Sequence, residues 1–441
     1  MKYKYLKLLA VVMAGAIVAM AIYLITAQYQ IKKDSFTDYK TGVTYPTSPI
    51  TLKLWLPTDE KNNLDSTIDE FRKIHPSVTF ETEYIDTASY QAKLLDATKT
   101  STLPDLFVYR NDGLPLYKSA LATAPESIFT IKQYSDTFSP FASQQLVSNN
   151  SIYGAPLGLA TLGMIYNKDR FSQASITTPP TTWDEFQKTN DALRKKDGQN
   201  LYSSGVALGT SAIRNYPDII SVLMMQNGAS MTNDPPTQAT FQLQQSDGYQ
   251  PSAKAVAFYA SFAQPTKQNY SWSDNLGSSI NALSQNKTAL IVDYPMAAKQ
   301  VATLNSNMQL GFAPLPQTNP SSPVNYGVIL SGGVGKNTQY SEIAWDFWGF
   351  ATSKTAQRQF SIQSFWPASR KDLIKEQLND KDLNSFAKQS VTAKSWYKGV
   401  NYAVNADFVD MLNSYLLGLD AQTAVNNTAV KVTVEIQKSN Q

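Results

Sequence analysis

A chain of 441 residues, 42% hydrophobic and 17% charged, is globular and too long for one ordinary core, so it suits two lobes. Lys2, Lys4, Lys7, Lys32 and Lys33 fall in residues 1–33 with no acid, so the net charge of +3 becomes −2 for the remainder, which leaves no basic stripe for nucleic acid. Cysteine is absent and histidine occurs once, which removes disulfides, thiolate or His-rich metal sites and cysteine nucleophiles, and no cofactor is indicated.

Leu8 to Ala27 is a run without a charge, preceded by three lysines. As a helix it would span about 30 Å, a bilayer core, with its N-terminus in the cytoplasm. Two readings are open: an uncleaved anchor, which the length favours, and a cleaved signal peptide, for which Ala19-Met20-Ala21 offers a small-x-small site. Residues 28–49 are polar, with Gly42, Pro46 and Pro49, and read as a tether.

Ile50-Thr51-Leu52-Lys53-Leu54-Trp55-Leu56 alternates and predicts a first strand. Leu64, Ile68, Phe71 and Ile74 recur at helical spacing and predict an amphipathic helix ending near His75-Pro76, with His75 exposed. Val78–Ile85 predicts a strand, Tyr90, Leu94 and Leu95 a helix, and Pro104-Asp105-Leu106-Phe107-Val108-Tyr109 another strand. This alternation implies an α/β lobe with a largely parallel sheet. Farther on, Gly163-Met164-Ile165-Tyr166-Asn167 is an apolar strand ending in a polar turn. Pro179-Pro180 stops the chain, and Thr182 caps a helix opening Trp183-Asp184-Glu185-Phe186, with Trp183 as packing.

That last order resembles the start of the second lobe in extracellular solute-binding proteins of ABC importers, the family 1 group of maltose and multiple-sugar binders. The first-strand Trp55, Glu70-Phe71, Tyr90-x-x-Lys93-Leu94 and Pro104-Asp105-Leu106-Phe107 are similar to the family's first lobe. Tyr153-Gly154-Ala155-Pro156, Asn286-Lys287-Thr288-Ala289-Leu290, Phe312-Ala313-Pro314-Leu315-Pro316 and Trp366-Pro367-Ala368-Ser369-Arg370 follow in the family's order. The resemblance runs from about Ile50 to Arg370; beyond it the chain matches only as a mostly helical closing region. Two departures stand out: the lipidated cysteine is missing, and the usual Gly-Gly of lobe two is Gly228-Ala229.

The resemblance implies a two-lobe periplasmic-binding-protein-like (type II) α/β fold with an interlobe cleft, behind the N-terminal transmembrane helix. Lobe 1 would be residues 50–157 and 317–364, and lobe 2 residues 158–316 and 365–441. It implies a monomer, not an enzyme, that captures a small solute, a mono- or oligosaccharide, by lobe closure and hands it to the permease subunits of an ABC transporter. The anchor and tether would then do the lipid's work at the extracellular face of the cytoplasmic membrane.

Sugars need planar amides, carboxylates and arginines beside aromatic platforms. Tyr109, Arg110, Asn111 and Asp112 lie at the carboxyl end of a predicted parallel strand, where α/β sheets bind ligands. The resemblance implies that Tyr109 and Asp112 supply a ring and a carboxylate, and that Asp293, Tyr294 and Trp366 face the cleft. Trp55 is either cleft floor or core, and Trp272 and Tyr326 stand behind these.

Two other functions stay open: an anchored sensory or scaffolding module, and an extracellular glycan-processing enzyme. Ser-His-Asp catalysis would need His75. A carboxylate pair would draw on Asp59-Glu60, Asp69-Glu70 or Asp184-Glu185, adjacent acids that read as solvated helix surface. Gly332-Gly333-Val334-Gly335-Lys336 lacks phosphate-loop spacing and reads as a strand-ending turn.

Overall fold

The alternation of Ile50–Pro57 becomes strand β1, with Leu52, Leu54 and Leu56 buried and Thr51 and Lys53 outward. Val78–Ile85 (β2) and Leu106–Arg110 (β3) lie parallel on either side of it. Helices Asp65–Ile74 and Thr87–Thr100 make the crossovers, as short connections between parallel strands require. Leu64, Ile68 and Phe71 bury the first helix against the sheet, while Ile74, expected on the same stripe, is exposed. The structure, a computed structural model, describes Tyr39 and residues 41–439. The expected anchor Leu8–Ala27 lies outside the described residues, and among the described residues no helix is long and apolar enough to cross a membrane.

Ten strands follow: β4 (Val147–Ser148), β5 (Ser151–Ile152), β6 (Ala155–Thr161), β7 (Gly163–Asn167), β8 (Lys195–Asp197), β9 (Asn200–Ala207), β10 (Thr288–Asp293), β11 (Leu310–Pro314), β12 (Asn325–Val334) and β13 (Ala393–Lys394). One sheet runs β13-β12-β3-β1-β2, with β6 also paired to β12; the other runs β11-β7-β10-β9-β8. These sheets are the cores of two α/β lobes. The glycine-rich run expected as a strand-ending turn begins within β12, which is buried throughout and ends at Val334, and the turn follows from Lys336. Gly332 is needed in β12 because a Cβ would come within 2.4 Å of the Trp348 ring.

The chain changes sheet between β6 and β7 with only Leu162 in between, and returns between β11 and β12. The first sheet therefore keeps the chain to Thr161, a few residues past the expected division at 157. Gln389 clasps both passages. Its Oε1 accepts from Leu315 N at 2.8 Å, and its Nε2 donates to Leu162 O and Thr161 Oγ1, both at 3.0 Å. β13 rejoins the first sheet, and helices Asn401–Leu416 and Ala421–Ser439 pack on helix Pro251–Ser261 beside the second.

The helix expected after Pro179-Pro180 forms as Trp183–Leu193 with a reciprocal cap: Glu185 N donates to Thr182 Oγ1 at 3.2 Å, and Thr182 N to Glu185 Oε2 at 3.3 Å. Trp183 packs between Phe186 and Phe258. His75 departs from expectation: it is buried, and the ring of Tyr45 stacks on it at 4.0 Å. The segment read as a tether thus touches the first lobe.

Candidate functional site

β3 ends in a tight turn, Asn111–Gly113, so its polar carboxyl end leaves the sheet toward the second lobe. A cavity of about 850 Å³ opens there between the two sheets. Tyr109, Arg110 and Asp112 line it from the first lobe, Arg214, Asp218 and Tyr294 from the second, and Trp366 and Lys398 from the later chain.

Four of the seven expected residues line this cavity: Tyr109, Asp112, Tyr294 and Trp366. Tyr109 is a wall rather than a platform, since it is buried and its hydroxyl donates to Tyr153 O at 2.9 Å. Three others serve elsewhere. Trp55 is half-buried with Lys93 Nζ 4.4 Å from its ring, while Asn111 is a structural staple, donating to Gln145 Oε1 and accepting from Ile329 N, both at 2.8 Å. Asp293 sits behind the wall, where its Oδ1 accepts from Asn215 Nδ2 and Tyr294 N, both at 2.7 Å. Of the weaker candidates, Trp272 is core, and Tyr326 is buried with Lys398 Nζ 5.1 Å from its ring.

The centre of the site is a carboxylate that sequence reasoning missed. Helix Tyr216–Gln226 starts after Asn215, held in the left-handed region at φ 56°, and carries Pro217 and Asp218 in its first turn. An acid there also meets the positive end of the helix. Asp218 Oδ2 accepts from Arg110 Nη2 at 3.1 Å and from the Tyr294 hydroxyl at 2.8 Å, while Lys398 Nζ bonds Oδ1. Arg110 Nη2 also reaches Asp112 Oδ2 at 3.0 Å. Burial alone would raise the Asp218 carboxyl, but the Lys398 ammonium and the Arg110 guanidinium outweigh it and hold it well below the usual carboxylate range. One acid thereby ties both lobes to the C-terminal segment.

A second cluster lies beside it. Glu60, expected as solvated surface, is buried; its Oε1 accepts from Trp366 Nε1 and its Oε2 from Asn63 Nδ2, both at 2.9 Å. Burial pushes its carboxyl up, and those two hydrogen bonds pull the other way. From the second lobe, Lys299 Nζ crosses to Asn63 Oδ1 at 3.2 Å and Gln363 O at 2.8 Å. The lobes are therefore joined by polar contacts at two places, as a closed cleft requires.

Two atoms of the site are left open: Arg110 Nε, which has no acceptor, and Oδ1 of Asp112. The Asp112 side chain is wholly buried, and its Oδ1 has no hydrogen-bond partner. A buried carboxylate oxygen without a donor is unfavourable unless something arrives to fill it. The signals for the missed residues were weak but present. Arg214-Asn215-Tyr216-Pro217-Asp218 precedes an apolar helical run, and Trp396-Tyr397-Lys398-Gly399 groups aromatics around one cation.

Two sheets of α/β lobes, joined by three chain passages and enclosing a polar, aromatic-walled cleft, define the class of two-lobe ligand-binding proteins. The sequence pattern of the bacterial extracellular solute-binding protein family matches residues 66–384, so the chain belongs to that family and is a binding protein, not an enzyme. A binding protein of Brucella abortus (strain 2308) is 22% identical over 326 residues, covering 72% of this chain and 75% of its own length. An ABC transporter solute-binding protein from Thermotoga lettingae, solved with α-D-tagatose, shares the fold at a TM-score of 0.72 and 20% identity, covering 88% of this chain and 99% of its own. The GacH receptor of Streptomyces glaucescens, solved unliganded and with acarbose, gives 0.71 and 17%, covering 89% and 99%.

Proposed function

We propose that this protein captures a carbohydrate, a mono- or oligosaccharide, in the cleft between its lobes and delivers it to the permease of an ABC importer. The lobes divide as the two sheets divide the chain, and Leu8–Ala27 holds the protein at the outer face of the membrane. The observation that carries the reading is Asp112 Oδ1, a buried acceptor without a donor in a cavity of about 850 Å³. A sugar hydroxyl supplies the missing donor, Trp366 and Tyr294 wall the cleft with Tyr109, and the Arg110–Asp218 pair closes beside it. The sugars and sugar mimics bound by the similar solved structures, α-D-tagatose and acarbose, support the same class. Ligand that adds contacts across the cleft favours the closed state by its differential affinity.

Thermal melting of residues 34–441 against mono- and oligosaccharides, polyols, sugar phosphates and peptides tests this. Ligand at a hundred times its dissociation constant adds about 2.7 kcal/mol. The expected result is a shift with one sugar class that Asp112→Ala weakens at least about tenfold, the loss of one charge-assisted hydrogen bond. A shift with peptides alone overturns the substrate class, and silence across the panel overturns capture.

A further inference from the structure

Away from the cleft cavity, the first lobe holds another buried carboxylate, Asp346, in helix Ser341–Ala351. Such a group needs donors. His75 Nε2 comes only to 3.8 Å, beyond hydrogen-bond reach. The hydrogen bonds come instead from the segment ahead of β1. The Tyr39 hydroxyl donates to Oδ1 at 2.5 Å and lies 3.1 Å from Asp346 O, and the Tyr45 hydroxyl donates to Oδ2.

The rings are seated as well as the hydroxyls. Tyr39 meets Phe350 edge-on at 5.8 Å, and Tyr45 lies flat on His75, which Phe71 backs at 4.7 Å. Gly349 leaves the space that Tyr39 uses, because a Cβ there would fall 2.8 Å from the Tyr39 hydroxyl. Val43, between the two tyrosines, packs on the same core. Burial first, then the Asp346 charge and its hydrogen bonds, push both phenols up, so they remain donors at any physiological pH.

We propose that Asp346, His75 and Gly349 form a socket for Tyr39 and Tyr45, so that Tyr39 and residues 41–49 are a strap fixed to the first lobe and the length of chain between the membrane and the lobe is counted only to Tyr39. The docking stands by itself; the length rests on the reading of Leu8–Ala27 as an anchor. Fully extended, residues 28–38 reach at most about 40 Å, against about 80 Å for residues 28–49. A strap that long halves the distance over which the lobes can wander from the bilayer. It also sets where on the first lobe the chain toward the membrane leaves, beside helix Ser341–Ala351.

The chain has no cysteine, so a single Thr44→Cys at an exposed strap position takes a spin label without competition. In the full-length protein in detergent micelles, the label is expected to show restricted motion. In Tyr39→Ala/Tyr45→Ala and in Asp346→Asn it moves at least about tenfold faster. Equal mobility in all backgrounds, whether restricted or free, overturns the socket. Should Asp346→Asn fail to fold, the alanine pair, which alters the strap alone, carries the test. Fractionating cells that make the full-length chain separates the two parts of the idea. A restricted label on a chain absent from the membrane fraction keeps the socket and overturns the membrane-to-lobe length.

Discussion

Asp218 and Asp293 belong to the same lobe and are both buried, yet their neighbours drive them in opposite directions. Asp218 has two cations and a phenol and is held ionised. Asp293 has Arg214 only at 3.9 Å, beyond hydrogen-bond reach, and an Oδ2 without a hydrogen-bond partner; burial dominates and pushes it up to about 6. Depth in the protein is the same and both accept hydrogen bonds; the difference is whether cations converge. The carboxylate that bridges the lobes is the one supplied with counter-charges, and the one behind the wall is left strained.

The largest effect expected from breaking this contrast is at Asp218. Asp218→Ala leaves Lys398, itself buried, without its partner, and should cost about 3–5 kcal/mol in chemical denaturation. A paired Asp218→Leu/Lys398→Met change should recover most of that loss; an Asp218→Ala loss below about 1 kcal/mol would show the bridge to be unimportant.

Asp293 answers in the other sense. Its folded pKa of about 6 lies above the ordinary 3.8, so the folded state holds the proton more tightly than the unfolded chain does. The resulting penalty is fully present above about pH 6 and is relieved as the pH falls toward 3.8. Asp293→Asn keeps the acceptor for Asn215 and should therefore stabilise the protein at pH 7.5 by at most about 3 kcal/mol, with the advantage vanishing near pH 4. A variant less stable than the parent at pH 7.5 would contradict this. Asp218, held low, contributes stability above the ordinary carboxylate range that is lost only in stronger acid.

Smaller effects sharpen the picture at the second cluster. Trp366→Phe removes one donor from buried Glu60 and should cost about 1–3 kcal/mol by thermal melting, with Glu60→Gln in the same background restoring part of it. Least of all, Lys299→Met should change stability by less than about 1 kcal/mol, since this amine is exposed, while shifting ligand-free protein toward an open shape in small-angle scattering. An unchanged scattering curve would remove Lys299 from the closure contacts.

Much of the first lobe was legible because its signals are local. Alternation gave Ile50–Pro57, helical spacing gave Asp65–Ile74, and the cap residues gave the start at Trp183. The cleft was legible where a strand end delivers residues, as with Asp112 and Tyr294, and at Trp366, to which the family resemblance pointed. Asp218 and Lys398 are 180 positions apart, and nothing local in either announces the other. Asn111 and Asp293 were misread for one reason: a polar residue at a strand end can turn to bond the backbone behind it as readily as the cleft in front. His75 was misread because its burial depends on Tyr45, in a segment whose composition looks like linker.

The amide of Gln389 has a mechanical consequence. Because one side chain holds two of the three passages between the lobes, those two strands cannot flex independently: a torsion at Leu162 is felt at Leu315. The lobes are geared to swing about a single line, as a door does on a pinned axle, and twisting or sliding between them is resisted. A ligand held at the mouth of the cleft acts on that line from a long lever arm.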